Sequence, residues 1–259
     1  MKQTQIDTAP ERFNFAQHLL TLNQARADKI AYIDDRGELS YGQLALAVRR
    51  FAAQLLDLGL RPEERVFLCA HDTRDWPVAF LGCLYAGVVP VAANTLLSAE
   101  DYAYMIRHSR SQAVIVSAAL LPTIQAALDL SATRPHHLIV SGAGDEVPQG
   151  AHRFEELVAT HGRDVDAADT GRDDIAFWLY SSGSTGKPKG TVHTHGNLFA
   201  TAATYGAHVL ELREDDVTFS AAKLFFAYGL GNGLTFPLSV GATVILMAER
   251  PTPDAVFKR

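Results

Sequence analysis

Tyr180-Ser181-Ser182-Gly183-Ser184-Thr185-Gly186-Lys187-Pro188-Lys189-Gly190 is the stretch on which the chain turns. Just before it, after Asp174, the run Ile175-Ala176-Phe177-Trp178-Leu179 has the pattern of a buried strand. Just after it, Thr191-Val192-His193-Thr194 alternates and predicts a second strand. A small-residue loop with two lysines therefore joins two extended segments. Its glycines leave room for a ligand to approach the backbone. Successive N–H groups in such a loop can converge on one anion. Ser181, Ser182, Ser184 and Thr185 add hydroxyl donors. Lys187 and Lys189 add charge that suits a polyphosphate. Ser181, Ser182, Gly183, Ser184, Thr185, Gly186, Lys187 and Lys189 are thus candidates for holding nucleotide phosphates.

This is not the common P-loop, in which Gly, four residues and Gly-Lys-Ser/Thr open a helix. Here Ser181 stands in place of the first glycine, and Pro188 follows Lys187. Pro188 lacks an N–H and fixes its φ, which suits a loop better than a helix start. A short Gly/Ser run alone would read as a surface turn. The lysines, the proline and the flanking strands favour phosphate binding.

The run Ser181 to Gly190, followed by His193-Thr194-His195-Gly196-Asn197-Leu198, resembles the signature of the adenylate-forming superfamily. That group includes acyl- and aryl-CoA ligases, luciferases and the adenylation domains of peptide synthetases. Lys223-Leu224-Phe225-Phe226-Ala227-Tyr228-Gly229-Leu230-Gly231-Asn232 looks most like the benzoate-CoA ligase branch. The resemblance implies ATP, Mg2+ and coenzyme A as cofactors and co-substrates, with a small aromatic carboxylic acid as the other substrate. It is compatible with a homodimer. It also implies that Phe226 guards the boundary between acyl and nucleotide sites, and that Ala227, Tyr228 and Gly229 line the acyl pocket.

The residue types of that segment support the same view. Aromatics (Phe225, Phe226, Tyr228) interleave with small residues (Ala227, Gly229, Gly231, Gly233), as walls of a flat apolar pocket would. Ordinary core packing is the competing explanation. Amino-acid-activating relatives place an acid in this region to bind the substrate ammonium. Between Ala221 and Gly233 there is no Asp or Glu. A buried ammonium with no counter-charge is costly, so a carboxylic acid with an apolar body is expected.

The 259 residues, 47% hydrophobic and 20% charged, have an ordinary globular composition. A formal net charge of −6 argues against nucleic acid as a partner. Cys69 and Cys83 lie in apolar surroundings and are expected to be buried free thiols, without metal-ligand spacing. No secretory signal is visible at Met1 to Arg12, and no run is long and apolar enough to span a membrane. A cytoplasmic setting without a membrane partner is expected.

Along the chain, residues 1–12 are expected to be a loose arm. Asn14 is placed to cap a helix from Phe15 to about Arg26. Ala31 to Asp35 and Glu38 to Tyr41 predict a hairpin around Arg36-Gly37. Ser40 caps a long helix to about Leu58, which Gly59 ends. Short apolar strands at 65–70, 88–91, 113–116 and 137–140 alternate with helices at 75–86, 98–108 and 120–130. The fold class is therefore α/β, with mainly parallel sheets covered by helices on both faces. Phe154 to His161 predicts a further helix, between loops at 142–150 and 163–173. Helices are also expected at 197–210 and 230–239, with strands at 217–221 and 243–247.

His193 and His195 invite a catalytic role, but no nucleophile partner is visible. They are expected to hold the strand and turn behind the phosphate loop. The family also uses a Tyr-Gly-x-Thr-Glu motif, an Asp for the ribose and a Lys in a small C-terminal domain. None is found here. Residues 1–259 are accordingly expected to be the N-terminal portion of a large AMP-binding domain, inactive alone and with no certain catalytic or metal residue. The expected parent is an AMP-forming aryl-CoA ligase. A fatty-acyl type of CoA ligase and a non-catalytic nucleotide-binding subunit are the alternatives.

Overall fold

The computed structural model describes residues 7–131, 134–144, 147–181 and 187–259. Its strands are β1 (Ile30–Asp34), β2 (Gly37–Ser40), β3 (Arg65–Cys69), β4 (Val89–Ala92), β5 (Ala113–Ser117), β6 (His137–Ser141), β7 (His152–Arg153), β8 (Ile175–Ser181), β9 (Lys189–Thr194), β10 (Val217–Phe219) and β11 (Thr243–Ile245). Its α-helices are α1 (Phe15–Leu22), α2 (Tyr41–Asp57), α3 (Asp75–Tyr85), α4 (Ala99–Ser109), α5 (Leu121–Leu130), α6 (Phe154–Ala159), α7 (His195–Thr201), α8 (Ala227–Leu230), α9 (Phe236–Val240) and α10 (Pro253–Lys258).

Two sheets result. The larger has the order β7-β6-β5-β3-β4-β8-β9 and is parallel except for β9, which returns antiparallel to β8. The smaller has the order β10-β11-β1-β2, with β10, β11 and β1 parallel and β2 antiparallel. The expected α/β class is thus what forms.

The alternation of side chains along β3 shows how helices cover both faces of the larger sheet. Val66 and Leu68 join a core with Phe51 and Leu55 of α2 and Phe80 and Leu84 of α3. Phe67 and Cys69 join another with Tyr102, Met105 and Ile106 of α4 and Ile124 of α5. Cys83 belongs to the first core and Cys69 to the second, and both are free thiols. Burial pushes the Cys69 thiol up to about 12, which leaves it protonated and inert.

Capping chemistry sets the helix starts. The Asn14 side chain accepts from Gln17 N, and Ser40 with Gln43 forms a capping box on α2. Ser98 accepts from Asp101 N at α4. Gly59, at φ +86°, supplies the left-handed residue just past α2.

Three expectations need correction. Residues 7–12 are not a loose arm: Ala9 is buried, and Arg172 donates to its carbonyl at 3.1 Å. Phe13 N donates to Thr170 O at 2.7 Å, so this segment is laced to the loop before β8. The helix expected at 197–210 begins earlier, because Thr194 and Asn197 form a capping box, and it widens into a π-helical turn at Ala202–Gly206. The helix expected at 230–239 begins at Ala227 and carries a π-helical turn at Gly231–Thr235. Pro237 follows that turn and has no N–H to close an α-helical bond to the preceding turn, so the backbone widens there.

Candidate active site

The β8–β9 hairpin brings the loop of interest to the edge of the larger sheet. Its register pairs Ser181 with Lys189, Tyr180 with Gly190, Leu179 with Thr191 and Phe177 with His193. Of the candidate phosphate residues, Ser182, Gly183, Ser184, Thr185 and Gly186 lie outside the described residues. Ser181, Lys187 and Lys189 are described. Lys187 Nζ lies 5.7 Å from the ring centre of Tyr104 on α4. The Tyr180 hydroxyl meets His108 Nδ1 at 2.7 Å and tethers β8 to the same helix.

A cavity of about 800 Å³ opens beside the hairpin. One wall is Leu179, Tyr180, Ser181, Pro188, Thr191 and His193. Phe225, Phe226 and Ala227 of the aromatic segment line it too, as do Asn94, Leu97 and Asp101. The Asp101 carboxylate accepts from Ser98 Oγ at 3.2 Å, within the cap of α4. A smaller chamber of about 100 Å³ adjoins this cavity and shares Leu179, His193 and Ala227 with it. Its walls include Phe177, Leu198, Leu230, Thr235 and Phe236.

The aromatic segment is held from behind. Both Asp72 carboxylate oxygens, on the loop after β3, accept from Leu224 N at 3.1 and 3.3 Å. Lys223 donates to the carbonyls of Met247 and Glu249, the latter at 2.7 Å. Phe225 is buried and its ring centre is 4.6 Å from that of half-exposed Phe226. Phe226 and Ala227 therefore line the cavity. Tyr228 and Gly229, expected beside them, do not: Tyr228 is 68% exposed, and Gly229 is buried against the preceding turn. A Cβ on Gly229 would lie 2.0 Å from Lys223 O and 2.5 Å from Ala222 O, so this glycine permits a close backbone approach. Helix geometry explains the split, since successive residues on α8 point in different directions.

The two histidines separate in role. His195 is 1% exposed, and its Nδ1 accepts from Phe15 N at 3.2 Å. Burial holds it down at about 4, so it is a neutral structural acceptor near neutral pH. His193 faces the cavity, stacked on Phe177 with ring centres 4.7 Å apart and planes at 11°. Burial lowers its pKa. Asn94, Leu97 and Thr235 line these cavities with no expectation from sequence, and His193, expected to hold the strand and turn behind the phosphate loop, faces the larger one. For Thr235 a signal existed: Ala227, Gly231 and Thr235 recur every four residues and all three line the chamber.

Among the described residues no group of three or more His, Cys, Asp or Glu is arranged to hold a metal. Among the described residues Asp101 is the only carboxylate residue lining the cavity, so they do not by themselves make a magnesium site. No helix among them is long and apolar enough to cross a membrane.

A family model described as AMP-binding enzyme matches residues 21–259. The chain is 51% identical over 253 residues to a benzoate–CoA ligase of Thauera aromatica, covering 96% of this chain and 47% of the relative. It is 46% identical over 235 residues to a 4-hydroxybenzoate–CoA/benzoate–CoA ligase of Rhodopseudomonas palustris, covering 90% and 42%. Among solved structures, a benzoate CoA ligase from Burkholderia xenovorans LB400 matches with a TM-score of 0.87 at 57% identity, over 95% of this chain and 48% of that one. An anthranilate CoA ligase, AuaEII, in complex with anthranoyl-AMP matches with a TM-score of 0.88 at 34% identity, over 93% and 46%. The chain spans about half the length of the relatives it matches. With its parallel sheet, its β8–β9 hairpin and a family match over nearly its whole length, the chain belongs to the AMP-binding enzyme family.

Proposed function

We propose that the protein carrying this chain is an AMP-forming ligase that joins an aryl carboxylate, benzoate or a close analogue, to coenzyme A. One observation carries the reading: a single cavity is lined both by the ends of the hairpin loop, Ser181 and Pro188, and by Phe225, Phe226 and Ala227 of the aromatic segment. A site of that shape can hold a polyphosphate and a flat acid side by side. In the first step a carboxylate oxygen attacks the α-phosphorus of ATP, and pyrophosphate leaves. In the second the coenzyme A sulfur attacks the acyl carbon, and AMP leaves with the electron pair of the broken C–O bond. Chemistry of this kind depends on positioning and on neutralising phosphate charge.

Within that scheme residues 181–189 cradle the β- and γ-phosphates, with Lys187 and Lys189 supplying charge. Phe226 borders the nucleotide and acyl parts of the cavity, and Ala227 faces the ring. Gly229 serves by letting α8 pack against Lys223, and Tyr228 stays at the surface. Support for an aryl substrate comes from the two relatives named for benzoate and from the aromatic segment, which has no Asp or Glu between Ala221 and Gly233. Residues 1–259 then form the N-terminal portion of a larger domain, a reading supported by the half-length match to both relatives. Mg2+ and a cytoplasmic setting belong to this reading too, as does the homodimer.

The test is benzoate-dependent exchange of labelled pyrophosphate into ATP by the full-length protein, followed by coenzyme A-dependent release of AMP. Exchange with benzoate and thioester formation are expected. Exchange driven by fatty acids and not by benzoate would sink the aryl reading.

A further inference from the structure

Thr235 is 1% exposed, and its hydroxyl has no hydrogen-bond partner among the described residues. It lines the small chamber behind Ala227. The other polar groups there are occupied. Asn197 caps α7 by accepting from Thr194 N at 3.0 Å. The Thr201 hydroxyl donates to Leu198 O at 3.0 Å. His193 is stacked on Phe177 and hydrogen-bonded with Asn197. Among the described residues lining the chamber, Thr235 alone has a buried side-chain polar atom without a partner, and it sits within walls made by Phe177, Leu179, Leu198, Leu230 and Phe236. Buried polar groups are almost always paired, so an orphan beside a binding cavity asks for a partner from the ligand.

The chamber's size and place limit what that partner is. Its volume of about 100 Å³ falls below the ~150 Å³ of an apolar cavity that accepts benzene. It takes the far edge of a ring with one substituent, and not the whole acid. Ser181 and Pro188, at the phosphate end, line only the larger cavity. An acid bound with its carboxylate toward them and its ring at Ala227 directs its meta or para edge toward the chamber.

We propose that Thr235 is a specificity residue, whose hydroxyl pairs with a hydroxyl or amino substituent on the meta or para edge of the aryl acid. This rests on the aryl-ligase reading above. A site that hydrogen-bonds a substituent discriminates strongly against the analogue that lacks the bond, whereas apolar contact discriminates weakly.

The experiment uses the full-length protein and pyrophosphate exchange with benzoate and with the 3- and 4-hydroxy and 3- and 4-amino derivatives. In Thr235→Val, kcat/KM for at least one derivative relative to benzoate is expected to fall roughly tenfold or more. Thr235→Ser, which keeps the hydroxyl, is expected to retain the parent ratio. Should the valine variant not fold, Thr235→Ala replaces it in the same comparison. An unchanged ratio in an active valine or alanine variant overturns the proposal and leaves the aryl reading standing. So does a parent that activates benzoate and none of the four derivatives. A parent with no exchange on any aryl acid overturns both.

Discussion

The Asp72 carboxylate and the Leu224 backbone N–H, 152 residues apart in the chain, meet at 3.1 Å and tie the end of β3 to the aromatic wall of the cavity. Burial pushes the Asp72 carboxyl up to about 7, against the opposing pull of Lys223 and of the Leu224 N–H. An unfolded aspartate releases its proton near 3.8. Between about 4 and 7 the folded protein therefore holds a proton that the unfolded chain does not, and stability falls as pH rises through that window. Asp72→Asn keeps an acceptor for Leu224 N and cannot ionise. Its stability relative to the parent is expected to improve from pH 4 to pH 7, by a few kcal/mol at most, in melts taken across that range. A difference that does not change with pH would show that Asp72 stays ionised throughout.

His195 gives the opposite slope. Its folded pKa of about 4 lies below the 6.5 of a free imidazole, so the unfolded chain binds the extra proton between those values. Stability is then lost as pH falls from 6.5 toward 4. His195→Leu removes the acceptor of Phe15 N and is expected to lower stability by about 1–3 kcal/mol at neutral pH. The gap to the parent should narrow on acidification, because only the parent carries the protonation cost. Denaturant titrations at neutral and acidic pH measure both effects.

Gly229→Ala tests the close approach at α8. The added methyl meets backbone carbonyls of Ala222 and Lys223, which cannot swing aside as a side chain can. A loss of about 3 kcal/mol or more is expected, the upper end for overpacking. Gly144→Ala, which meets nothing within 4 Å, is the control and should stay within about 0.5 kcal/mol of the parent. Equal melting temperatures for the two variants would mean that the 222–229 turn yields easily.

Lys187→Ala combined with Thr185→Ala should slow adenylate formation far more than thioester formation from supplied acyl-adenylate. On the proposed reading the loop serves pyrophosphate, which takes no part in the second step. Separate rapid-quench measurements of the two half-reactions decide the matter. Equal losses in both would count against a phosphate role.

Ala227 faces both the cavity and the chamber. Ala227→Gly removes a methyl group and should admit ring substituents that the parent excludes. Ala227→Leu should block the ring, at about 1–3 kcal/mol in kcat/KM for benzoate, with the KM for ATP little changed. If the ranking of benzoates survives both changes, Ala227 does not touch the ring.

Much of this architecture could be read directly from residue types. Ser40 with Gln43 and Ser98 announce helix starts through side-chain chemistry that acts within four residues. The apolar runs of β3 to β6 announce a buried parallel sheet. What the sequence could not show was decided by distant partners. Ala9 looks like part of a loose arm until the loop at 168–172 is beside it. Tyr228 looks like a pocket residue until α8 starts at Ala227 and turns its ring outward. Thr235 is one threonine in an apolar stretch, and only the packing of α7 against the π-helical turn shows that its hydroxyl lacks a partner.

The smaller sheet has a consequence for how the chain is made. β1 and β2 leave the ribosome about two hundred residues before β11, the strand that β1 pairs with through Tyr32 and Val244. Until then one side of β1 offers its N–H and C=O groups to any passing strand. The larger sheet meanwhile gathers its neighbours in nearly the order of synthesis, from β3 to β9. Of the two sheets the smaller is thus the later to close during translation, and its early hairpin β1–β2 is the part left longest with an unpaired edge, open to misassembly and chaperone capture.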